Sequence, residues 1–259
     1  MTQPLAFITG ASSGIGQALA LRFHQAGYRL ALVARRTAEV KSWAEANGIS
    51  ASSYEIYSAD VAITDSIVAA GKDCLARQGL PDVVIANAGI SVGMDTGQRE
   101  DIDVMARTFA VNNTGVAATF HPFVNAMRQR GSGRLVAVAS VAAIRGLPGH
   151  GAYCASKAAV VAYAESLRGE LRGSGVKVVT LLPGYVDTPL TRRNRYPMPF
   201  LMSADAFADQ AHAAIEAGAA WRVIPWQMGW VARLLRALPI ALFDRLLAGR
   251  PRKHRQNET

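Results

Sequence analysis

The chain has 259 residues, half of them hydrophobic, and 28 Lys and Arg against 19 Asp and Glu give it a net charge of +9. That length and apolar content can bury one large core, and no Pro- or Ser-rich linker, internal repeat or low-complexity tract divides it. No apolar run reaches the ~20 residues that span a bilayer, Cys74 and Cys154 do not make a disulfide framework, and the scattered His, Cys, Asp and Glu residues show no metal spacing.

Met1 leads into a first strand within a few residues, which leaves no room for a signal or transit peptide, so a cytoplasmic location is expected. Leu5-Ala6-Phe7-Ile8 reads as a buried strand over 5–9. Thr9-Gly10-Ala11-Ser12-Ser13-Gly14-Ile15-Gly16 follows at once, then a helix pattern over 14–26. Strand, glycine-rich turn and helix form the first half of a dinucleotide-binding unit. The glycines let the backbone approach a pyrophosphate, and the helix N-terminus offers it free N–H groups. The spacing is GxxxGxG, not the commoner GxGxxG. Further strands are predicted near 29–34, 53–58, 82–87, 133–140, 177–182 and 222–225, and helices near 38–47, 64–78, 101–129, 152–172 and 204–217. Ser203 reads as an N-cap and Gly218 as a helix stop. Repeated β-α units point to an α/β domain over 1–225, a Rossmann-type doubly wound parallel sheet of about seven strands. Ligands of such sheets bind beyond the carboxyl ends of the strands, where Thr9, Arg35, Asp60, Asn87, Ser140 and Pro183 fall.

The second strand ends in Ala34-Arg35-Arg36. An acidic residue there would accept a bond from the adenosine ribose and favour NAD. Two arginines suit a 2′-phosphate, so NADP is the expected cofactor; solvated surface charge is the other reading of the pair. Tyr153 and Lys157 stand at i and i+4 and share one helix face, with Ser140 thirteen residues upstream of the Tyr. A neighbouring ammonium lowers a phenol's pKa from about 10, giving a proton donor and acceptor usable near neutral pH, as carbonyl–alcohol interconversion requires.

Thr9-Gly10-x-x-x-Gly14-x-Gly16, Asp60-Val61, Asn87-Ala88-Gly89, Asn112-x-x-Gly115, Ser140, Tyr153-x-x-x-Lys157 and Pro183-Gly184 followed by Thr188 occur in this order between about residues 5 and 225. In order and spacing they resemble the short-chain dehydrogenase/reductase family, in its NADP-preferring type. Ala86 stands where the family often has Asn, a strand-end position not expected to affect chemistry. The resemblance implies a catalytic set of Asn112, Ser140, Tyr153 and Lys157. Tyr153 would exchange the proton, Lys157 would tune the Tyr and hold the ribose, Ser140 would bond the substrate oxygen, and Asn112 would bind a water relaying protons to Lys157. Asn113 is its rival, but Asn112 has the family's spacing to Gly115. Ser140 has a second reading, a strand-end Ser bonding its own backbone. The resemblance implies cofactor contacts at Gly10, Ser12, Ser13, Gly14, Ile15 and Gly16, at Arg35 and Arg36, at Asp60 and Val61 around the adenine, and at Asn87, Ala88 and Gly89. Tyr153, Lys157, Pro183, Gly184, Val186 and Thr188 complete that set, Thr188 toward the nicotinamide carboxamide.

Leu190, Tyr196, Pro197, Met198, Pro199, Phe200, Leu201 and Met202 occupy the place of the family's substrate-covering loop. An apolar lid suits a lipophilic carbonyl compound; the competing reading packs these residues against the tail. Ser91, Val92, Met94, Val141, Ala142, Leu147 and Tyr185 are further pocket candidates, and His150 is expected at the surface. A 3-oxoacyl thioester and a free ketone or aldehyde both remain as substrates. A non-catalytic nucleotide-binding sensor is a third reading, against which the full Asn112-Ser140-Tyr153-Lys157 set argues.

Residues 226–259 form a C-terminal extension. From 221 onward Arg222, Arg233, Arg236, Arg245, Arg250, Arg252, Lys253 and Arg255 face only Asp244 and Glu258. Trp226, Trp230, Val231, Leu234, Leu235 and Leu238 fit one helical stripe, and Pro239 restarts a helix carrying Leu242, Phe243, Leu246 and Leu247. Two amphipathic helices rich in Trp, Leu and Arg read as peripheral membrane contact; packing on the lid or on a second subunit of a homo-oligomer competes with it. Nucleic acid is not an expected partner, since no binding motif accompanies the charge.

Overall fold

The computed structural model describes residues 3–192, 194, 197–249, 252, 253 and 255. Tyr196, Arg250, His254 and Glu258 lie outside the described residues. The strands are β1 (Leu5–Thr9), β2 (Arg29–Ala34), β3 (Tyr54–Ser58), β4 (Val83–Ala86), β5 (Gly133–Val138), β6 (Val176–Pro183), a small pair β7 (Val186–Asp187) and β8 (Met202–Ser203), and β9 (Trp221–Ile224). Seven of them form one parallel sheet in the order β3-β2-β1-β4-β5-β6-β9. The helices are α1 (Gly14–Gln25), α2 (Thr37–Ala46), α3 (Thr64–Arg77), α4 (Arg99–Phe109), α5 (Gly115–Arg130), α6 (Gly151–Glu170), α7 (Ala204–Glu216), α8 (Trp226–Ala237) and α9 (Ile240–Leu247).

The central strands β1 and β4 are buried along their whole length because both faces of the sheet are covered. Successive side chains point to opposite faces, so Leu5 and Phe7 of β1 enter one core with Ile67 of α3, Phe120 and Phe123 of α5 and Val160 of α6. Ala6 and Ile8 enter the other with Leu19 and Phe23 of α1, Val40 of α2 and Phe207 of α7. This is the single doubly wound α/β sheet expected, and its strand order reverses between β1 and β4, where a cleft opens at the carboxyl edge.

Three elements depart from expectation. The helix predicted over 101–129 is two helices joined by a π-helical turn, Ala110–Thr114. There the Asn112 side chain is tied to Ile90 and Ser156, and Gly115 comes so near β3's exit that a Cβ would sit 2.8 Å from the Val61 carbonyl. The fifth strand stops at Val138, because Ser140 leaves the ladder to cap a 3-10 turn, Val141–Ala143. The stripe predicted on α8 splits in two. Met228 and Ala232 are buried and Val231 and Leu235 half-buried, whereas Trp226, Trp230 and Leu234 are exposed. A helix turns about 100° per residue, so positions 226, 230 and 234 drift off the face that 228, 231, 232 and 235 share. Ser203 caps α7 by accepting from the Ala206 N–H at 3.1 Å, and Gly218 ends it at a φ of 64°. Among the described residues no helix is long and apolar enough to cross a membrane.

Candidate active site

The cleft begins where β1 ends. The Thr9 hydroxyl accepts from the Asn87 and Ala88 N–H groups at 3.1 and 3.2 Å, and the Asn87 side-chain amide donates to the Thr9 carbonyl at 3.0 Å. These bonds staple β1 to the exit of β4 and leave Asn87 behind the glycine turn. Gly10 has a φ of 72°, and a side chain at Gly16 would overlap the Gly10 carbonyl, so only glycine lets α1 start this close to the strand. Ser13, the N-cap of α1, is extended and makes no side-chain cap bond, which leaves the first-turn N–H groups aimed into the cleft.

Arg35 and Arg36 leave β2 at the mouth. Arg35 pairs with Asp60 at 3.4 Å, and Arg36 donates to the Ser12 hydroxyl at 3.1 Å and pairs with Glu39 at 3.1 Å. Both side chains are more than half exposed, so water screens these pairs. The Asp60 carboxylate also accepts from the Ala62 N–H at 3.0 Å, which fixes the turn after β3. At the far end, Thr191 donates to the Val186 carbonyl at 2.6 Å and accepts from the Thr188 N–H at 3.0 Å. That folds the 186–191 loop back, so a Cβ on Gly14 would lie 3.0 Å from the Thr188 methyl.

In the middle stand Ser140, Tyr153 and Lys157. The Ser140 hydroxyl accepts from the Ala142 N–H at 3.1 Å, the backbone bond of its alternative reading, and also hydrogen-bonds the Tyr153 phenol. Burial pushes the phenol above its ordinary value, Ser140 pulls against that rise and Cys154 adds to it. The expected lowering of Tyr153 by Lys157 therefore gives way to desolvation. The Lys157 amine lies 6.0 Å from the Tyr153 ring centre, donates to the Val138 carbonyl at 2.8 Å and is itself pushed down to about 8 by burial. Asn112 is fully buried beneath them. Its amide donates to the Ile90 carbonyl at 3.0 Å and the Ser156 hydroxyl at 2.9 Å, and its oxygen accepts from the Ile90 N–H at 2.9 Å. Both amide hydrogens are thus committed, and the side chain has no donor left for a relay water. Asn113 instead donates to the Ser156 carbonyl at 2.9 Å.

One cleft is lined by Gly10, Ser12, Ser13, Gly14, Ile15, Arg35, Arg36, Asp60, Val61, Asn87, Ala88, Gly89, Ser140, Tyr153, Lys157, Pro183, Gly184, Val186 and Thr188. Of the nominated residues, Gly16 and Asn112 lie behind its wall. Three contributors were missed. Ser156 links Asn112 to the Tyr153 carbonyl, to which it donates at 2.8 Å; its place inside the Tyr-to-Lys motif was the available signal. Thr191, three residues after Thr188, shapes the loop. Arg107 lines the cleft from α4, and no local pattern marks it.

Around the substrate end, Leu190 lines the cleft, and Leu190, Phe200 and Leu201 are exposed, not packed against the tail. His150 is buried, not at the surface as expected, because Gly149 lies against Arg252 and the tail covers this loop. Its ring bonds the Pro148 carbonyl at 3.1 Å, and burial, aided by the Lys253 charge, pushes its pKa down. Cys74 and Cys154 are free thiols.

The short chain dehydrogenase family model matches residues 4–198. An uncharacterized oxidoreductase of Myxococcus xanthus is 37% identical over 247 residues, covering 94% of this chain and 96% of that one. A 3-ketoacyl-(acyl-carrier-protein) reductase of Brucella melitensis, solved with NADH, is 27% identical at a TM-score of 0.75, covering 85% of this chain and 96% of that one. A short-chain dehydrogenase of Sphingobium yanoikuyae, solved with NADPH, is 27% identical at a TM-score of 0.74, covering 92% and 97%. With a parallel seven-stranded sheet and a glycine turn at its switch point already in place, these matches show that the chain belongs to the short-chain dehydrogenase/reductase family of oxidoreductases.

Proposed function

We propose that this protein is an NADP(H)-dependent oxidoreductase that interconverts a carbonyl and a secondary alcohol on a lipophilic substrate. The observation that carries the cofactor choice is the pair Arg35 and Arg36 at the exit of β2, with Ser12 within 3.1 Å of Arg36. A 2′-phosphate there would meet two guanidiniums and a hydroxyl, and the carboxylates beside them are already paired, Asp60 with Arg35 and Glu39 with Arg36. The glycine cradle and the uncapped start of α1 fit a pyrophosphate. When bound, a nicotinamide supplies or accepts the hydride.

The chain's own residues handle the proton. A substrate oxygen between Ser140 and Tyr153 accepts from both hydroxyls; Tyr153, kept neutral by burial, gives its proton as the oxygen becomes an alkoxide. Lys157 lies beneath Tyr153, where its amine can reach a ribose and recharge the phenol. We assign Asn112 a positioning role: it locks Ile90 to Ser156 and so fixes α6, which carries both Tyr153 and Lys157. The exposed apolar lid around Leu190, Phe200 and Leu201 supports a lipophilic substrate. Reduction of a 3-oxoacyl thioester is the second reading, supported by the likeness to the Brucella reductase.

The test is initial-rate assay with NADPH and NADH against free ketones, aldehydes and 3-oxoacyl thioesters. NADPH is expected to give a specificity constant higher by at least about tenfold, ~1.4 kcal/mol, and joint replacement Arg35→Ala and Arg36→Ala to erase the difference. Equal constants in the unmutated protein would refute the cofactor reading, and turnover confined to thioesters would replace the substrate reading.

A further inference from the structure

We propose that the outer face of α8 and α9 docks on an anionic lipid bilayer. Trp226, Trp230 and Leu234 stand at i, i+4 and i+8 and are 64%, 63% and 67% exposed. Ile240, Leu242 and Leu246 of the next helix, α9, are also exposed. Large apolar side chains this open, gathered on two consecutive short helices, mark an interaction surface rather than scattered surface residues.

The two helices are held in place from beneath. Met228 and Ala232 are buried, and Met228 packs on Gly184, where a Cβ would lie 2.8 Å from its side chain. Arg145, from the loop after Ser140, donates to the carbonyls of Leu235 and, at 2.9 Å, Leu238, and its guanidinium stacks 3.7 Å over the Phe243 ring. The outer residues are therefore presented by a fixed support, not by a frayed end.

Charge selects the occupant. Arg222, Arg233, Arg236 and Arg245 are all exposed, and between residues 217 and 249 the one carboxylate is Asp244. None of these four arginines forms an ion pair among the described residues. A two-fold pairing of copies brings a patch against itself, which here would set these arginines against one another with two carboxylates between them. An anionic bilayer instead neutralises them while its interface takes the indole rings, and a convex ridge needs no matching groove in lipid. Arg255, further along the chain, is not counted with them, because it is spent on Asp101 at 2.6 Å and Glu100 at 3.0 Å.

The experiment is co-sedimentation of the full chain with vesicles of phosphatidylcholine alone or mixed with phosphatidylglycerol, at low and high salt, with tryptophan emission recorded. Binding is expected only to the mixed vesicles, with a blue shift, and weaker by at least about tenfold at high salt. The variants Trp226→Ser/Trp230→Ser/Leu234→Ser and Arg222→Gln/Arg233→Gln/Arg236→Gln/Arg245→Gln should each lose at least about tenfold in binding, with circular dichroism and cofactor affinity unchanged. No binding by the unmutated chain, or binding that both variants keep, would overturn the proposal. So would light scattering that shows a stable oligomer dissolved by the Trp and Leu replacements, since a second copy would then cover the face.

Discussion

Tyr153 and Lys157 show how one burial event sets two opposite titrations. Desolvation disfavours charge, so it raises the phenol and lowers the amine. If Tyr153 is the proton donor, Tyr153→Phe lowers turnover by at least about a hundredfold while NADPH affinity, read by fluorescence titration, stays nearly unchanged. Residual activity above about a tenth would move the proton to another group. Lys157 is a cost to the fold. A shift from 10.5 to about 8 corresponds to about 3 kcal/mol against the charged form. Below about 8 the lysine is charged folded and unfolded, so the penalty is complete. Between about 8 and 10.5 the unfolded chain holds the extra proton, so stability of the unmutated protein climbs with pH until the penalty is gone. Lys157→Met removes the charge and loses the bond to Val138, worth about 1 kcal/mol. It should abolish turnover yet raise unfolding free energy by about 2 kcal/mol at neutral pH, a gain that shrinks as pH rises through that window. Urea titrations at pH 7 and pH 10 check this; a gain independent of pH would exclude the buried charge as its source.

Among the elements, the pair of helices α8 and α9 depends on a residue far away in sequence. Arg145 satisfies carbonyls at the end of α8 that no helical N–H reaches, and it stacks on Phe243 of α9. Arg145→Ala should loosen these two helices by about 2–4 kcal/mol, from charged hydrogen bonds and the ring contact together. Hydrogen exchange over 226–247 should quicken by at least about tenfold while β1, β4 and β5 keep their protection. Uniform acceleration across the sheet would mean that α8 and α9 are part of the global fold. Local pattern was enough to place α8 and α9, since Pro239 and the apolar spacing mark them. It was not enough to say which stripe faces inward, because that depends on Gly184 and Arg145 meeting the helix. The same limit applies at 101–129, where a continuous helical pattern hides the π turn imposed by Asn112 reaching Ile90 and Ser156.

At the scale of the whole molecule, the C-terminal segment returns to the body of the enzyme. Arg255 pairs with Asp101, 154 positions away, and bridges Gly93, while Arg252 lies against Gly149. The Asp101 carboxylate also accepts from the Asp95 N–H at 2.7 Å, and these bonds hold its pKa below the usual carboxylate range. Its contribution is therefore present above the ordinary carboxylate pKa and lost as pH falls through the depressed one. Arg255→Ala should lower Tm at neutral pH, and the difference from the unmutated protein should vanish in acid, where a protonated Asp101 has no ion pair to lose. A drop of equal size at both pH values would exclude the pair as its cause.

The order of the βα units, the glycine turn before α1, the strand ends that carry the site and the arginines after β2 were all legible by themselves. They rest on periodicity, turn chemistry and residue type, which act over a few neighbouring positions. The burial of His150, the depressed amine of Lys157, the committed side chain of Asn112 and the return of Arg255 to Asp101 were settled only by the tertiary structure. Each depends on what a distant segment places against the residue: how far it is desolvated and which donor or acceptor it meets are properties of packing, and no local pattern of residues encodes them.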